Sequence, residues 1–376
     1  MPLVSTPSSP TTCRHSRGTG GRSTSHRIGV AVTARSTTRP DKRCTESHRK
    51  REGNVSNHRS RIQRRGSALA VTLVSLVALA LLAPPAAASP QWSDWSAPVC
   101  LGATINSSAE DAGPAVSKDG LAFYFYSTRA GGVGGEDIYV SYRASTHAPW
   151  GTPVNLGTPI NTTANERVPA FSRDGHWMFF ASNRTGGVGG NDLWASYRLH
   201  THEDFGEFGW QTPKFVVGVN TPFGEAGPSY FQDDAGTAFL YFNSNKPGGL
   251  GSADIYVAVQ QPDGSFGAVA NVTRLNSPFF DARATISHDG LEVIFNSNRA
   301  TGSLLGQVDL WSATREGTSG AWSTPTSLTA LKTAASDYTP YLSADRQTLY
   351  FASDRAGGLG AGDLWVSTRT KSSGKP

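Results

Sequence analysis

Residues 182–194 read SNRTGGVGGNDLW, and this stretch decides the fold because it recurs along the chain. Close copies read STRAGGVGGEDIY at 127–139, SNKPGGLGSADIY at 244–256 and SDRAGGLGAGDLW at 353–365, and a looser copy reads SNRATGSLLGQVDLW at 297–311. Self-similarity at a period of tens of residues is typical of repeat architectures. The chain therefore contains five copies of one structural unit.

The repeats lie downstream of a segment with a different composition. The first 88 residues hold 15 of the 34 Lys and Arg residues and 3 of the 29 Asp and Glu residues, which leaves 19 basic and 26 acidic residues in the remainder. The sequence pI of about 9.1 therefore does not indicate nucleic-acid binding, because the basic excess lies outside the repeats. We expect no nucleic-acid partner.

The N-terminal segment has the features of a disordered or misannotated extension followed by a secretory signal. Residues 1–60 are rich in Ser, Thr, Arg and Gly and cannot bury enough apolar surface to fold. In 61–88, Arg64 and Arg65 precede an apolar run at 68–83 and the small residues PPAAAS, which predicts a signal peptide cleaved after Ala88. The alternative, a membrane anchor, needs about 20 apolar residues, and the run has 16. We expect a secreted or periplasmic protein with no membrane span after cleavage.

Each repeat has four strand-like pieces, which the second repeat illustrates. VPAFS (168–172) precedes the turn RDG, HWMFFAS (176–182) is a dense apolar piece, and DLWASYR (192–198) alternates in polarity as a half-buried strand does. WQTPKFVV (210–217) begins with an aromatic residue and contains a proline that suits an outer strand. The opening aromatics recur at spacings of 55, 60, 56 and 56 residues, at Trp95, Trp150, Trp210, Phe266 and Trp322.

This pattern predicts an all-β chain that folds as a five-bladed β-propeller of four-stranded blades over residues 89–370, with 371–376 as a disordered tail. The first piece after the signal, WSAPVCLG from Trp95, is an outer-strand piece, and the last repeat ends at a third-strand piece, DLWVSTRT at 363–370. We therefore expect the N-terminal strand to complete the last blade. That pairing closes the ring and protects both strand edges.

The pattern P-x-x-S-x-D-G, apolar strand, S-x-R, glycine loop and D-[IL]-[YW] resembles the WD40-like (PD40) repeat of TolB-like propellers, over about residues 105–370. The copy at 353–365 is close to that consensus. The resemblance implies a propeller of the TolB-like class, in families that are mostly exported and often bind proteins, peptides or glycans. The third, fourth and fifth copies depart from the pattern in their turns or loops. TolB itself resembles six blades with an additional domain, neither of which this sequence has, so the resemblance does not imply its specific partner role.

A basic residue and an aspartate flank the glycine loop in every repeat. The basic residue ends the second strand-like piece and the aspartate begins the third, in the pairs Arg129 and Asp137, Arg184 and Asp192, Lys246 and Asp254, Arg299 and Asp309, and Arg355 and Asp363. The aspartate can accept hydrogen bonds from the loop amides or pair with the basic side chain. Because a residue present in every blade usually serves every blade, we interpret these ten residues as structural.

A second set of acidic residues stands just before the first strand-like piece of each repeat, at Glu110, Glu166, Glu225, Asp281 and Asp337. We expect these candidate binding residues at one mouth of the axial channel, on the face of the glycine loops. Five converging carboxylates could hold Ca²⁺ or a cationic ligand, or they could be neutralised by the five basic residues as an ion-pair network between blades. Both interpretations stay open.

No distinctive catalytic motif accompanies these residues, since the sequence has no P-loop, no G-x-S-x-G and no H-E-x-x-H. An insertion at 199–210 contains His200, His202, Glu203 and Asp204, which we interpret as a solvated loop rather than a metal site. The sequence favours a monomeric, exported, non-catalytic binding or scaffold propeller without a cofactor, which recognises a protein, peptide or cell-envelope glycan. The alternative is a carbohydrate-active hydrolase or lyase at the channel mouth, because paired carboxylates at the right separation support glycoside chemistry.

Overall fold

The computed structural model describes residues 92–199, 209–299 and 308–372. The predicted extension and signal peptide (1–88), the insertion residues His200, His202, Glu203 and Asp204, and the C-terminal residues 373–376 lie outside the described residues. Within the described part of the chain, every regular secondary-structure element is a β-strand. No helix there is long and apolar enough to cross a bilayer.

In the described residues, twenty strands form five sheets of four strands each. The first strands of the blades are β2 (Asp111–Val116), β6 (Glu166–Phe171), β10 (Glu225–Gln232), β14 (Asp281–Ile286) and β18 (Asp337–Leu342). The second strands are β3 (Ala122–Ser127), β7 (Trp177–Ser182), β11 (Ala238–Ser244), β15 (Glu292–Ser297) and β19 (Thr348–Ser353). The third strands are β4 (Asp137–Tyr142), β8 (Asp192–Tyr197), β12 (Asp254–Gln260), β16 (Asp309–Thr314) and β20 (Asp363–Thr368). The fourth strands are β1 (Val99–Cys100), β5 (Val154–Asn155), β9 (Lys214–Phe215), β13 (Phe266–Asn271) and β17 (Thr326–Ser327).

The sheet orders confirm the predicted five-bladed propeller. Four blades follow the chain, β2-β3-β4-β5, β6-β7-β8-β9, β10-β11-β12-β13 and β14-β15-β16-β17, whereas the fifth has the order β1-β20-β19-β18. Val99 pairs with Val366 and Cys100 with Trp365, so the N-terminal strand completes the last blade as predicted. Each first strand contacts the first strands of the two neighbouring blades, including β18 with β2, which closes a ring of innermost strands around an axis.

The antiparallel blades place their connections on two opposite faces. The connections from first to second strands, such as 117–121, lie on one face, which we call the turn face. The glycine loops from second to third strands, such as 183–191, lie on the opposite face, which we call the loop face. Each blade therefore presents one end of its innermost strand to each face.

Phenylalanines from the second strands form the core between blades. One stands two residues before the last serine of each second strand, at Phe125, Phe180, Phe242, Phe295 and Phe351, and all five are at most 1% exposed. Stacked sheets bury such strands on both faces, which explains why the second strand-like piece of every repeat is densely apolar.

The fourth strand of the second blade is shorter than predicted. The piece 210–217 contributes only β9, Lys214–Phe215, and an isolated bridge between Trp210 and Arg198. Pro213 interrupts the ladder because its ring nitrogen carries no hydrogen to donate. Trp210 is nevertheless 5% exposed, since the guanidinium of Arg198 stacks on it at 4.4 Å from the ring centroid.

The same stacking contact recurs and holds the outer strands. An arginine after the third strand stacks on the opening aromatic and donates to a turn carbonyl, in the pairs Arg143 and Trp150, Arg198 and Trp210, Arg315 and Trp322, and Arg369 and Trp95. In the fifth blade the Arg369 guanidinium lies 4.4 Å from the ring centroids of both Trp92 and Trp95. It also pairs with the buried carboxylate of Glu292 at 2.5 Å. The closing strand is therefore fixed by stacking as well as by its ladder.

Removal of the closing strand should expose the edge of β20. Deletion of 92–101 removes Trp95 and the ladder partners of Val366 and Trp365, and an unpaired edge strand pairs readily with other chains. We expect aggregation or loss of cooperative unfolding, measured by light scattering and thermal melting.

Single substitutions provide the matched controls for this deletion. Trp95→Ala should lower the free energy of unfolding by about 3–5 kcal/mol. Val99 lies on β1, four residues after Trp95, and is 62% exposed, so Val99→Ala should change the free energy of unfolding by less than about 0.5 kcal/mol. A truncated chain that melts like the parent would contradict the closure.

Candidate functional site

The basic residue at the end of a second strand reaches the first residue of the innermost strand. The same ion pair forms in four blades, between Arg129 and Asp111 (2.6 Å), Arg184 and Glu166 (3.1 Å), Arg299 and Asp281, and Arg355 and Asp337 (2.5 Å). In the third blade Lys246 Nζ lies 4.1 Å from the centroid of the Tyr256 ring. Glu225 there accepts hydrogen bonds from the hydroxyls of Thr221 and Ser244, both at 2.6 Å.

The carboxylates of this set are buried inside the blades and do not line the axis. Asp111, Glu166, Glu225, Asp281 and Asp337 are at most 1% exposed. Each carboxylate has internal donors: the Thr162 amide, for example, donates to Glu166 Oε2 at 2.8 Å. Burial raises the pKa of the Asp337 carboxyl, because removal from water outweighs the hydrogen bonds from Arg355 and Ser353. Four of these carboxylates thus form ion pairs within their own blades rather than between blades, and Glu225 is held by hydroxyl and amide hydrogen bonds instead.

The first blade corrects one predicted residue, because the position belongs to Asp111 rather than Glu110. Asp111 stands opposite Ser127 in the ladder between β2 and β3, the position that Glu166 occupies in the second blade. The sequence contained the signal that separates the two acids. Glu110 stands four residues before Pro114, whereas the carboxylates of the other blades stand three residues before the corresponding position.

The glycine loops pack around the aspartates that begin the third strands. Asp192 Oδ2 accepts the amides of Val188 at 3.0 Å and Gly189 at 3.2 Å. A Cβ on Gly187 would lie 2.0 Å from Asp192 Oδ2, and one on Gly189 would lie 1.7 Å from the carbonyl oxygen of Phe223 in the next blade. Asp137, Asp254 and Asp363 accept loop amides in the same way, and Asp309 pairs with Lys332 at 2.9 Å. The glycines are therefore required by close packing within and between blades.

Sequence reasoning missed a set of asparagines that join neighbouring blades. Each accepts a hydrogen bond from a third-strand amide and donates one to the carbonyl of the same residue, in the pairs Asn106 and Leu364, Asn161 and Ile138, Asn220 and Leu193, and Asn276 and Ile255. The signal was a constant spacing, since each asparagine stands five residues before the carboxylate of its blade. These residues serve the fold.

Five β-bulges narrow the central channel where the innermost strands approach one another. Each first strand shows a register shift between its second residue and the residues after the bulge, and the third residues all have positive φ: Gly113, Val168, Gly227, Arg283 and Thr339. The Gly113 amide donates to Thr339 Oγ1 at 3.1 Å, and a Cβ on Gly113 would lie 3.1 Å from Val168 Cα. These five residues therefore meet at the axis, and we call them the axial floor.

A cavity of about 900 Å³ extends from the axial floor to the turn face. Its walls consist of innermost-strand residues, among them Pro114, Pro169, Pro228 and Pro340, and of aromatic residues such as Tyr230 and Tyr341. Proline is tolerated at these positions because the axial edge of an innermost strand has no ladder partner. The sequence predicted a site on the loop face, whereas this cavity lies at the turn face.

The carboxylates at the mouth of the cavity belong to tight turns. Asp119 and Asp345 line the mouth and are exposed. Each accepts a hydrogen bond from the serine hydroxyl two residues earlier, at 2.6 Å and 2.5 Å respectively. Arg173 Nη1 lies 3.6 Å from Asp234 Oδ1 at the same rim. The rim thus carries both signs of charge, and the carboxylates hold the turns.

A group of polar residues lies on the loop-face side of the axial floor. Glu110 Oε1 accepts hydrogen bonds from the hydroxyls of Tyr126 at 3.0 Å and Tyr338 at 3.4 Å, and Glu136 Oε2 pairs with Arg167 Nε at 2.5 Å. Burial, and then the charge of Glu110, raise the pKa of Tyr126 well above its usual value, so its hydroxyl stays protonated and donates. We call Glu110, Tyr126, Glu136, Arg167 and Tyr338 the axial polar cluster.

The ion-pair arrangement predicts how the protein responds to calcium. No three His, Cys, Asp or Glu side chains of the described residues are grouped to hold a metal ion, and each buried carboxylate already has donors from its own blade. We expect the melting temperature to be the same with a chelator and with millimolar Ca²⁺. A Ca²⁺-dependent rise in the parent protein would contradict this arrangement.

The calcium experiment includes two variants. Glu166→Gln leaves the Arg184 guanidinium buried without its carboxylate and should lower the free energy of unfolding by about 3–5 kcal/mol, which Ca²⁺ should not restore. Asp263→Asn changes an exposed turn residue and should shift stability by less than about 0.5 kcal/mol.

No protein-family model matches the chain, so none supports the PD40 assignment. The curated proteins give no match either. Solved structures to which the chain is similar include TolB from Acinetobacter baumannii, with 18% identity and a TM-score of 0.41 over 70% of this chain and 55% of that one. The chain thus spans about half the length of that TolB.

Glycoside hydrolases also occur among the similar solved structures. An α-L-arabinofuranosidase from Lactobacillus brevis has 12% identity and a TM-score of 0.49 over 71% of this chain and 95% of that one. An exo-1,5-α-L-arabinanase from a bovine ruminal metagenomic library has 11% identity and a TM-score of 0.49 over 70% and 94%. Likenesses at this level say nothing about activity, and the five-bladed fold rests on the sheet topology of this chain itself.

Proposed function

We propose that this chain is an exported, non-catalytic binding propeller that takes a short segment of a protein partner into the axial cavity. The observation that carries the proposal is the cavity itself, which has a volume of about 900 Å³ and extends from the axial floor to the turn face. Ligand sites in proteins are concave, of this size and largely apolar. A pocket of this kind suits a peptide segment or a loop of another protein.

The chemistry of the walls favours a peptide over a glycan. A sugar presents many hydroxyl groups, which need hydrogen-bond partners when they are buried. Two of the polar side chains at the cavity have internal partners: Gln232 Nε2 donates to the Gly236 carbonyl at 3.0 Å, and Arg143 Nε donates to the Gly120 carbonyl at 2.7 Å. The innermost-strand part of the wall offers a ligand proline, aliphatic and aromatic surface, such as Pro114, Pro169 and Tyr341, which suits apolar side chains.

The alternative function, glycoside hydrolysis, needs two carboxyl groups that flank a sugar at a separation of about 5–9.5 Å. Among the described residues that line the cavity, the carboxylates are Asp119 and Asp345. Both lie on exposed turns and are engaged by serine hydroxyls, which supports structural roles for them. The similar solved structures include a TolB and glycosidases alike, so they do not separate the two functions.

A cavity-filling variant tests the proposal. A random heptapeptide library is selected on the chain without its predicted signal peptide, and the dissociation constants of the selected peptides are measured by calorimetry. Ala170 lines the cavity and is partly exposed, so Ala170→Trp should occlude the site and weaken binding at least tenfold. Val188→Trp, on the loop face where Val188 is 56% exposed, should leave binding unchanged.

Two results would contradict the proposal. Selected peptides that bind parent and Ala170→Trp equally well would place their site outside the cavity. Turnover of arabinan, xylan or their aryl glycosides by the parent, lost in Asp119→Asn, would instead establish the hydrolase alternative.

A further inference from the structure

Two neighbouring blades carry exposed phenylalanines on the loop face where the other blades carry alanine. The residues that stand third and second before the buried carboxylate of each innermost strand read Pro222-Phe223 in the third blade and Pro278-Phe279 in the fourth. The same positions in the other blades read Ser108-Ala109, Thr163-Ala164 and Ala334-Ala335. Phe223 is 41% exposed and Phe279 is 43% exposed. Because alanine serves at this position in three blades, the fold does not require an aromatic side chain there.

Backbone contacts join these phenylalanines to the glycine loop of the third blade. The amide that follows Phe223 donates to Asn245 Oδ1 at 2.8 Å, at the start of that loop. The Ser252 amide, near the end of the loop, donates to the Phe279 carbonyl at 3.1 Å. Leu250 lies between these two contacts and is 50% exposed. Three exposed apolar side chains thus lie on adjoining segments of the loop face.

The surface around these side chains is basic. Three basic residues and no Asp or Glu occur in the four adjoining segments 183–191, 218–224, 245–253 and 273–280. Arg184 pairs with Glu166, whereas Arg274 is exposed and Lys246 is partly exposed. The corresponding segments 102–110, 128–136 and 354–362 of the first and fifth blades each contain an acidic residue. We call Phe223, Lys246, Leu250, Arg274 and Phe279 the seam patch.

We propose that the seam patch docks a segment of a partner protein that presents apolar side chains together with carboxylates. Exposed apolar patches on soluble proteins mark interaction sites, and complementary charge around an apolar centre orients the partner and excludes others. An isologous dimer through this patch is disfavoured, because it would bring the same basic residues together. The inference goes beyond the proposed function, since the axial cavity extends to the opposite, turn face.

A peptide selection on a protein with a closed cavity tests this assignment. A random heptapeptide library is selected on the chain without its predicted signal peptide and with Ala170→Trp, which occludes the axial cavity. The selected peptides should contain apolar residues and Asp or Glu, and replacement of that acid by its amide should weaken binding. Adding Phe223→Ala and Phe279→Ala should weaken binding at least roughly tenfold in calorimetry, since central apolar anchors contribute this factor or more.

Two leucines at the same loop position provide the matched control. Leu250 and Leu359 each stand four residues before the aspartate that begins the third strand, and both are 50% exposed. Leu250→Ala should weaken binding at least roughly threefold, whereas Leu359→Ala, two blades away, should leave it unchanged. Arg274→Gln should weaken binding and make it less dependent on ionic strength, because it removes an exposed charge that faces the carboxylates.

Several results would overturn the inference. These are a selection that yields no binder, selected peptides without carboxylates, and equal losses in Leu250→Ala and Leu359→Ala. The variant with both phenylalanines replaced should melt close to its parent, since three blades have alanine there, and a much lower melting temperature would show that the phenylalanines serve the fold.

Two further measurements separate other occupants of the seam patch. Cosedimentation with phosphatidylglycerol vesicles, lost when both phenylalanines are replaced, would assign the patch to a lipid surface. A dimer in sedimentation that the same replacements dissociate would assign it to a second copy of the chain. Either result overturns the partner protein. The proposed function is unaffected by these outcomes, because it rests on peptides that are selected on the parent and lost in Ala170→Trp.

Discussion

Buried arginine–carboxylate pairs hold the second strand of a blade against its innermost strand, and the loop face is built around them. Charges removed from water are stable only when their remaining donors and acceptors are satisfied. Arg184 meets this condition, since it pairs with Glu166, donates to the Ile160 carbonyl at 2.5 Å and lies 4.9 Å from the centroid of the Phe180 ring. The carboxylate in turn binds the amide that precedes its strand. In each blade that has it, the arginine of the pair thus also contacts the last serine and the phenylalanine of the second strand and the loop before the innermost strand.

At the axis the strands are positioned by β-bulges and not by ion pairs. Five innermost strands bulge toward one another, and their third residues adopt positive φ so that the chains can meet. Glycine meets this demand without strain, as at Gly113 and Gly227, whereas Val168 and Thr339 accept strain and contribute contacts across the axis. The result is a cavity that extends from this floor to the turn face.

Much of the fold could be predicted from the sequence because the same residue pattern recurs in each repeat. The glycine loop, the flanking arginine and aspartate, and the opening aromatic gave the blade number and the closing strand. The confusion of Glu110 with Asp111 arose because two acids adjoin in the first repeat, where only the three-residue spacing to Pro114 separates them. The short β9 strand follows from Pro213, whose effect on the ladder outweighs the apolar pattern of the piece around it.

The candidate site was harder to predict than the fold. Nothing in the residues VPAF or RATI signals a bulge with positive φ, because Val, Thr and Arg have no preference for that conformation. The position of the cavity depends on those bulges, so the sequence placed the site on the loop face instead. The carboxylates that recur in every repeat were predicted to bind a ligand. In the structure they are buried and form ion pairs or hydrogen bonds inside the blades.

The central claim is that the charged residues repeated in the blades stabilise the fold through buried ion pairs. Urea unfolding of two variants, Arg299→Gln and Arg274→Gln, tests it most directly. Arg299 pairs with the buried carboxylate of Asp281, so its replacement should lower the free energy of unfolding by about 3–5 kcal/mol. Arg274 is exposed, so the Arg274→Gln variant should stay within about 0.5 kcal/mol of the parent. Equal losses in the two variants would contradict the account.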